Sequence, residues 1–222
     1  MLCCIIGALA SGAALDIPKD AFVIAADAGY AALERSGRRP DLIVGDFDSL
    51  GFVPEGPVLR HPVEKDDTDM LLAVREGLRR GCRVLHLYGG VGGRLDHTVA
   101  NLQTLAFARA HGAHAFLFGG GFVSTLLDSE TLRLPHTAPG LLSVFAYGGE
   151  AHGVTLEGLH YTLHDASVTP EFPVGVSNAC EGAPVCIRVR GGRLLVMWEE
   201  GVCAASDARF EPHASEDPFI KP

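Results

Sequence analysis

The sequence has few basic residues and no long apolar run, and these absences exclude several classes of protein. Its 222 residues include 18 Lys and Arg against 27 Asp and Glu, a net charge of −9 at pH 7. Nucleic-acid binding depends on Lys and Arg at the phosphates, so we expect no nucleic-acid partner. No run approaches the ~20 apolar residues of a membrane-spanning helix, so we expect no membrane partner. The acidic charge is compatible with a cationic small substrate or a bound divalent metal.

The six cysteines lack the spacing of a metal site. None forms a C-x-x-C pair, and no set of cysteines and histidines has zinc-ligand spacing. We therefore predict buried free thiols in a reducing compartment, the cytoplasm. The first apolar run, residues 2 to 7, has no Lys or Arg before it, whereas a signal peptide begins with a basic region. We predict that this run is a buried strand.

Hydrophobic residues make up 47% of the chain, enough for a sizeable core. In the N-terminal half, continuous apolar runs alternate with helical patterns; the runs read CCIIGA, FVIAADAG, DLIVGDFD, VLHLYGG and AFLFGGG. Continuous runs of this kind are typical of parallel strands buried on both faces. Alternation with helices predicts an α/β, Rossmann-like domain over residues 1–122 with a mostly parallel sheet.

Three segments of this half have helical periodicity. The first is closed by Gly37, and the second begins at a cap that is either Asp67 or Thr68 and is followed by Gly81. The third begins near Asp96, and its periodicity predicts that these residues face inward: Val99, Leu102, Leu105 and Ala106.

The C-terminal half has a different pattern of apolar and polar residues. Helical periodicity stops after residue 122, and short strand-like pieces follow, separated by Gly, Pro and Asn. This pattern predicts an all-β sandwich, or a barrel-like domain, over residues 123–200. Residues 201–222 are predicted to form a loose tail.

Acidic residues follow several of the predicted strands. Asp27 ends the second strand, Asp46 and Asp48 follow the third, and Asp69 stands in the EKDDTD segment at a helix start. Ligands of open parallel sheets bind beyond the carboxyl ends of the strands, which lie about 4.8 Å apart. We therefore expect several of these carboxylates to converge on one divalent cation, which would offset their mutual repulsion.

Basic residues and glycines at the same predicted edge suit phosphates. Lys65 supplies a point charge and Arg94 a bidentate fork, while the glycines of GGVGGRLDH let backbone N–H groups approach an anion. Each motif alone has a structural alternative: D-x-D as a turn, DTD as a helix cap, the glycines as a flexible loop, and His97 as a helix-start residue. Their coincidence at one edge favours phosphoryl-type transfer.

The ordered motifs resemble those of a known family. ADAG, PDLIVGDFDSL, EKDDTD, GGVGGRLDHTVANL and then GVSN resemble the thiamine pyrophosphokinases, strongly over residues 24 to 105 and weakly beyond. The resemblance implies transfer of a pyrophosphoryl group from ATP to thiamine, giving thiamine diphosphate and AMP with Mg²⁺. It also implies a catalytic α/β domain, a thiamine-binding β-sandwich, and a homodimer with the active site between subunits.

The resemblance assigns roles to individual residues. It implies three metal ligands and catalytic acids, Asp46, Asp48 and Asp69, two further active-site acids, Asp27 and Asp96, and a catalytic Arg94. It implies nucleotide contacts from Lys65, Gly92, Gly93, Arg94 and His97. For thiamine it implies contacts from Asp96, Ser177, Asn178 and Trp198, although Trp198 has an alternative place in the sandwich core. Two rival functions stay open: a related metal-dependent phosphohydrolase or pyrophosphokinase, and an inactive thiamine- or nucleotide-binding module.

Overall fold

The structure is a computed structural model, and it describes residues 1–10, 15–46, 52, 54–60 and 67–213. The chain divides into two compact units, Met1–Thr125 and Leu126–Pro222. Asp48 and Lys65, two of the predicted site residues, lie outside the described residues.

The first unit is built on a parallel sheet with helices. Its helical elements are a short 3₁₀ turn, η1 (Ala8–Ala10), and the helices α1 (Gly29–Ser36), α2 (Asp69–Arg79) and α3 (Leu95–Ala110). Its strands are β1 (Leu2–Ile6), β2 (Phe22–Ala26), β3 (Leu42–Gly45), β4 (Val58–Arg60), β5 (Val84–Tyr88), β6 (His114–Gly119) and β7 (Phe122–Asp128), the last of which runs across the boundary of the unit.

Six of these strands pair in parallel, in the order β6-β5-β1-β2-β3-β4, and the start of β7 adds antiparallel to β6. The central strands are buried over almost their whole length, because helices cover the sheet and leave no solvated face on which polar residues would alternate. Parallel pairing is what the continuous apolar runs predict.

The helix ends follow from local sequence. Gly37 closes α1 in the left-handed conformation, with φ of 71°. Thr68, rather than Asp67, is the N-cap of α2, because its hydroxyl accepts a hydrogen bond from the Leu71 N–H at 3.2 Å.

The prediction for the inward face of α3 was partly wrong. Val99 is 49% exposed, and the buried residues of this helix are Asn101, Thr104, Leu105 and Ala108. Two of these buried residues are polar, so a search for apolar periodicity could not detect them. The face therefore lies about one helical position away from the predicted one.

The second unit is all β within the described residues. Its strands, besides the end of β7, are β8 (Glu130–Leu134), β9 (Gly140–Ala146), β10 (Ala151–Glu157), β11 (Leu163–Val168), β12 (Asn178–Cys180), β13 (Val185–Arg188), β14 (Arg193–Glu199) and β15 (Arg209–Pro212). Within this unit, β12, β9 and β14 pair antiparallel, and a separate five-stranded sheet has the order β11-β10-β13-β8-β15.

The prediction of a loose tail from residue 201 was wrong for the described part of that segment. A second 3₁₀ turn, η2 (Ala205–Asp207), leads into β15, which pairs with the edge of β8. Arg133 of β8 and Glu211 of β15 form an ion pair at 2.9 Å across the two strands. The strand is short and polar and ends at Pro212, as edge strands often do, which hid it from a search for apolar patterns.

The cysteines are free thiols, and five of the six are buried. Among the described residues, no helix is long and apolar enough to cross a membrane.

Candidate active site

The order of the strands creates a crevice between β1 and β5. The chain continues from β1 to β2 on one side and from β5 to β6 on the other, so the segments that follow β1 and β5 diverge. They remain hydrogen-bonded at their start: the Gly7 N–H donates to the Tyr88 carbonyl at 2.8 Å and the Leu9 N–H to the Gly89 carbonyl at 3.2 Å. Such a switch in strand order is where open α/β sheets bind ligands.

A cavity of about 670 Å³ opens at this crevice, a volume in the usual range for small-molecule sites. Four segments line it: the turn after β1, the end of β2, the start of α2, and the glycine loop with the first turns of α3. The lining residues are Gly7, Ala8, Leu9, Ala26, Asp27, Asp67, Thr68, Asp69, Met70, Gly89, Gly90, Gly92, Gly93, Arg94, His97 and Asn101.

Asp27 enters the cavity from a constrained backbone. It follows β2 directly, its N–H donates to the Val44 carbonyl at 2.8 Å, and its φ of 45° lies in the left-handed region. Gly45 of the neighbouring strand permits this approach, because a Cβ at residue 45 would stand 3.1 Å from the Asp27 Cα. A non-glycine residue held at positive φ beside a cavity is typical of a functional site.

The other acidic residues lie around the same edge. Asp69 and Asp67 line the cavity, and Asp67 also pairs with Arg75 at 2.9 Å. Asp46 follows β3, the strand next to β2. The structure therefore brings Asp27 and Asp69 into one cavity, as predicted from the sequence.

The donor set fits a hard divalent cation. Carboxylate oxygens are the ligands that Mg²⁺ takes, usually one or two of them with substrate phosphates completing the octahedron, and Asp27 and Asp69 supply such oxygens. Among the described residues, no three or more His, Cys, Asp or Glu side chains stand in a metal-binding group.

The glycine loop and the N-terminus of α3 form the anion-accepting side of the cavity. Gly92 and Gly93 have φ of 99° and 60°, a backbone course that residues with a Cβ rarely adopt. The dipole of α3 is positive at this N-terminus and favours a negative ligand next to the loop.

Arg94, which lines the cavity, forms an exposed pair with Asp96. The Arg94 guanidinium donates to both carboxylate oxygens of Asp96, at 3.1 and 2.6 Å. These hydrogen bonds hold the pKa of Asp96 below its usual range, so Asp96 is ionised at neutral pH. Because both side chains are largely exposed, Arg94 is free to exchange this partner for a phosphate. His97 follows on α3 and also lines the cavity.

The predicted thiamine contacts lie in the second unit. Ser177 is exposed and has φ of 56°. The Asn178 side chain is buried; its oxygen accepts from the Tyr161 and Ala179 N–H groups and its amide donates to the Tyr161 carbonyl. Trp198 is fully buried, and its indole N–H donates to the Cys203 carbonyl at 2.8 Å. It therefore occupies a core position, the alternative that the sequence analysis gave for it.

Sequence reasoning missed part of the cavity lining. Leu9 and Met70 are apolar residues that reach the cavity, and their sequence contexts are those of an ordinary strand end and helix face. Asn101 was visible in the GGVGGRLDHTVANL motif, yet its polar side chain was not expected on the buried face of α3. Because the positions predicted to face inward were all apolar, the periodicity gave no signal for Asn101.

Two family models match the chain in order. One describes the catalytic domain of thiamin pyrophosphokinase and covers residues 16–117; the other describes its vitamin B1 binding domain and covers residues 130–194. Thiamine pyrophosphokinase of Bacillus subtilis (strain 168) is 27% identical over 171 residues, 70% of this chain and 76% of the relative.

Solved structures of thiamin pyrophosphokinases share the fold. The crystal structure of the Bacillus subtilis protein superposes with a TM-score of 0.82 at 21% identity, covering 90% of this chain and 99% of that one. The crystal structure from Geobacillus thermodenitrificans gives a TM-score of 0.79 at 23% identity, covering 93% of this chain and 100% of that one.

Proposed function

Because the chain belongs to the thiamine pyrophosphokinase family of enzymes, which form thiamine diphosphate by pyrophosphoryl transfer, we propose that it transfers the group from ATP to the hydroxyl of thiamine, with AMP as the second product. One observation supports this reaction in particular. Asp27 and Asp69 share a cavity with a glycine loop and a helix N-terminus, so groups that attract a cation stand beside groups that attract phosphate.

In the proposed reaction the thiamine hydroxyl attacks the β-phosphorus of ATP, and AMP leaves. The N–H groups of the loop and of the α3 N-terminus hold the phosphate oxygens, while Arg94 places a bidentate donor where negative charge develops. Lys65, outside the described residues, is proposed to add a second positive charge. The protein contributes chiefly alignment and electrostatic stabilisation, since phosphoryl transfer requires little covalent participation.

Mg²⁺ is the proposed metal. Asp46, Asp48 and Asp69 are its proposed ligands, with Asp27 as a further acid. The ion would neutralise phosphate charge in the transition state.

Asp96 of α3 is proposed to contact thiamine, and so are Ser177 and Asn178 of the second unit, for which we propose a β-sandwich. The cationic thiazolium suits an acidic environment, and Asp96 is ionised at neutral pH. The Asn178 side chain is already committed to backbone partners, so its contribution would be to fix the strained Ser177 next to it.

The proposal includes a homodimer in the cytoplasm. Six free thiols fit a reducing compartment, and fractionation of cells with an antibody against the chain tests that location. Light scattering coupled to size-exclusion chromatography tests the dimer: a single species of one chain's mass, 23.5 kDa, would contradict it.

One assay tests the reaction. The purified protein is incubated with thiamine, Mg²⁺ and ATP labelled in the β-phosphate, and the products are separated by chromatography. We expect label in thiamine diphosphate with an equal amount of AMP. Labelled ADP with free phosphate, or labelled pyrophosphate, with thiamine unchanged would indicate a hydrolase, and binding of both substrates without turnover would indicate a binding module. Either result contradicts the proposal.

A further inference from the structure

The glycine loop between β5 and α3 is held by contacts from outside itself. Positive-φ glycines impose little conformational preference of their own, so the neighbours must fix the path of this loop. At Gly89 the backbone of the turn after β1 stands so close that an added Cβ would lie 2.7 Å from the Gly7 carbonyl oxygen. Near the other end, the Gly92 N–H donates to the Thr98 hydroxyl at 3.3 Å.

Asn101 holds the middle of the loop. Its side-chain amide donates to the Gly90 carbonyl at 2.7 Å, a buried hydrogen bond between the second turn of α3 and the loop. Asn101 is 6% exposed and lines the cavity. Because the Gly90 oxygen can only accept, the side-chain NH₂ must face it, and this fixes the orientation of the amide.

The fit around Gly90 is close on two sides. A Cβ at residue 90 would lie 2.9 Å from the Asn101 Nδ2 and 2.9 Å from a methyl group of Leu117 on β6. The loop therefore rests on the sheet below and on the Asn101 amide beside it, and a small change in the amide would move Gly90. Gly92 and Gly93 follow within three residues and would move with it.

We infer that Asn101 is a positioning residue: through the Gly90 carbonyl it sets the path of the glycine loop, and thereby the placement of the N–H groups that receive the nucleotide's phosphates. The inference rests on the proposed function and assigns a role to a residue that does not itself touch the reacting atoms. It predicts an effect on ATP rather than on thiamine, because the loop faces the phosphates.

Two substitutions separate this role from a general contribution to folding. Asn101→Asp keeps the shape of the side chain, but its ionised form opposes a carboxylate to the Gly90 carbonyl. The protonated form can donate the hydrogen bond again, and burial together with that bond raises the pKa of such a carboxyl group. Asn101→Ala removes the donor at every pH.

The experiment measures kcat and KM for ATP and thiamine at pH 6 and pH 8, each as a ratio to the native protein. For Asn101→Ala we expect kcat/KM for ATP to fall about 10- to 100-fold at both pH values, as displacements near 1 Å do, with KM for thiamine unchanged within about twofold. For Asn101→Asp we expect a similar loss at pH 8 and at least about fivefold recovery at pH 6. Thr104→Val, a buried hydroxyl one turn along α3 that bonds the Ala100 carbonyl, is the control and should leave both ratios near one.

Two results would overturn the inference: native kinetics for Asn101→Ala, or an Asn101→Asp ratio that is the same at pH 6 and pH 8. If Asn101→Asp does not fold, Asn101→Ala decides alone, through KM for ATP and hydrogen exchange of residues 89–93, which should become faster. If the native protein does not make thiamine diphosphate, the proposed function fails by itself. Asn101 is then judged by calorimetric binding of ATP, which the alanine variant should weaken about tenfold.

Discussion

At the scale of single residues, the backbone is most constrained where the acidic side chains enter the cavity. Asp27 is held at positive φ by its hydrogen bond to β3, and Gly45 provides the room. Asp69 has a different support. It stands in the first turn of α2 next to the Thr68 cap, where the helix dipole favours a negative charge. Its charge can therefore be removed without disturbing the cap.

Asp69→Asn is expected to lower kcat about 100- to 1,000-fold, the usual effect of losing one group that stabilises the transition state. The melting temperature should stay within a few degrees of the native value, because the cap and the α2 packing remain. Steady-state kinetics with saturating ATP and Mg²⁺ provide the measurement. Asp20→Asn, which changes an exposed acid in the same unit, is the control. Native turnover by Asp69→Asn would remove this residue from the site.

At the scale of secondary-structure elements, the helices next to the cavity pack very closely against the ends of the strands. Gly29 is the first residue of α1, and a Cβ there would lie 1.8 Å from the Ile6 carbonyl oxygen at the end of β1. A Cβ added at Gly7 would lie 2.7 Å from the terminal methyl group of Met70. These glycines let α1 and α2 approach the sheet at its carboxyl edge.

Gly29→Ala is expected to destabilise the protein by about 3 kcal/mol or more, because the added methyl group meets backbone atoms and α1 must shift. The activity of the remaining folded protein should also fall, since Asp27 lies two residues away. Urea unfolding followed by circular dichroism gives the free energy of unfolding. The matched control is Gly149→Ala, where an added Cβ has no neighbour within 4 Å and φ is not positive, so little change is expected. Equal stability of the two variants would show that the contact at Gly29 is tolerated.

At the scale of the whole molecule, stability should depend on pH through a buried histidine. His86 of β5 is 8% exposed and packs against Phe116 and Phe118, with ring centroids 5.5 and 5.1 Å away. Burial lowers the pKa of His86 from 6.5 to about 4, because the charged imidazolium is disfavoured among these rings. The unfolded chain therefore binds a proton at a pH where the folded chain does not.

The free energy of unfolding is expected to decrease as the pH falls from about 6.5 to about 4, by up to about 3 kcal/mol from this residue. The stability that His86 contributes by staying neutral is fully present above pH 6.5 and is lost progressively as the pH falls to about 4. Urea unfolding at several pH values measures it. His86→Phe keeps an aromatic ring of similar size and should flatten the slope in this window relative to the native protein. An identical pH dependence in both would show that His86 is protonated without cost.

Much of the fold was predictable from local sequence, for identifiable reasons. The run ending at Gly45 is apolar throughout because both faces of its strand are covered, and Thr68 is a cap by its chemistry. The failures are equally physical. Val99 was predicted inward because Asn101 and Thr104, which are buried instead, are polar. Strand β15 was missed because it is a polar edge strand.

The site was predictable only as a set of residue types. The sequence by itself determined that carboxylates, glycines and an arginine follow particular strands, since strand ends and helix starts are set by neighbours along the chain. Only the tertiary structure decided that the turn at Gly7 meets the loop at Gly89, and that Asn101 reaches the Gly90 carbonyl. Those contacts depend on β1 lying beside β5 in the sheet, and the order of parallel strands is fixed by packing between distant segments rather than by any local pattern.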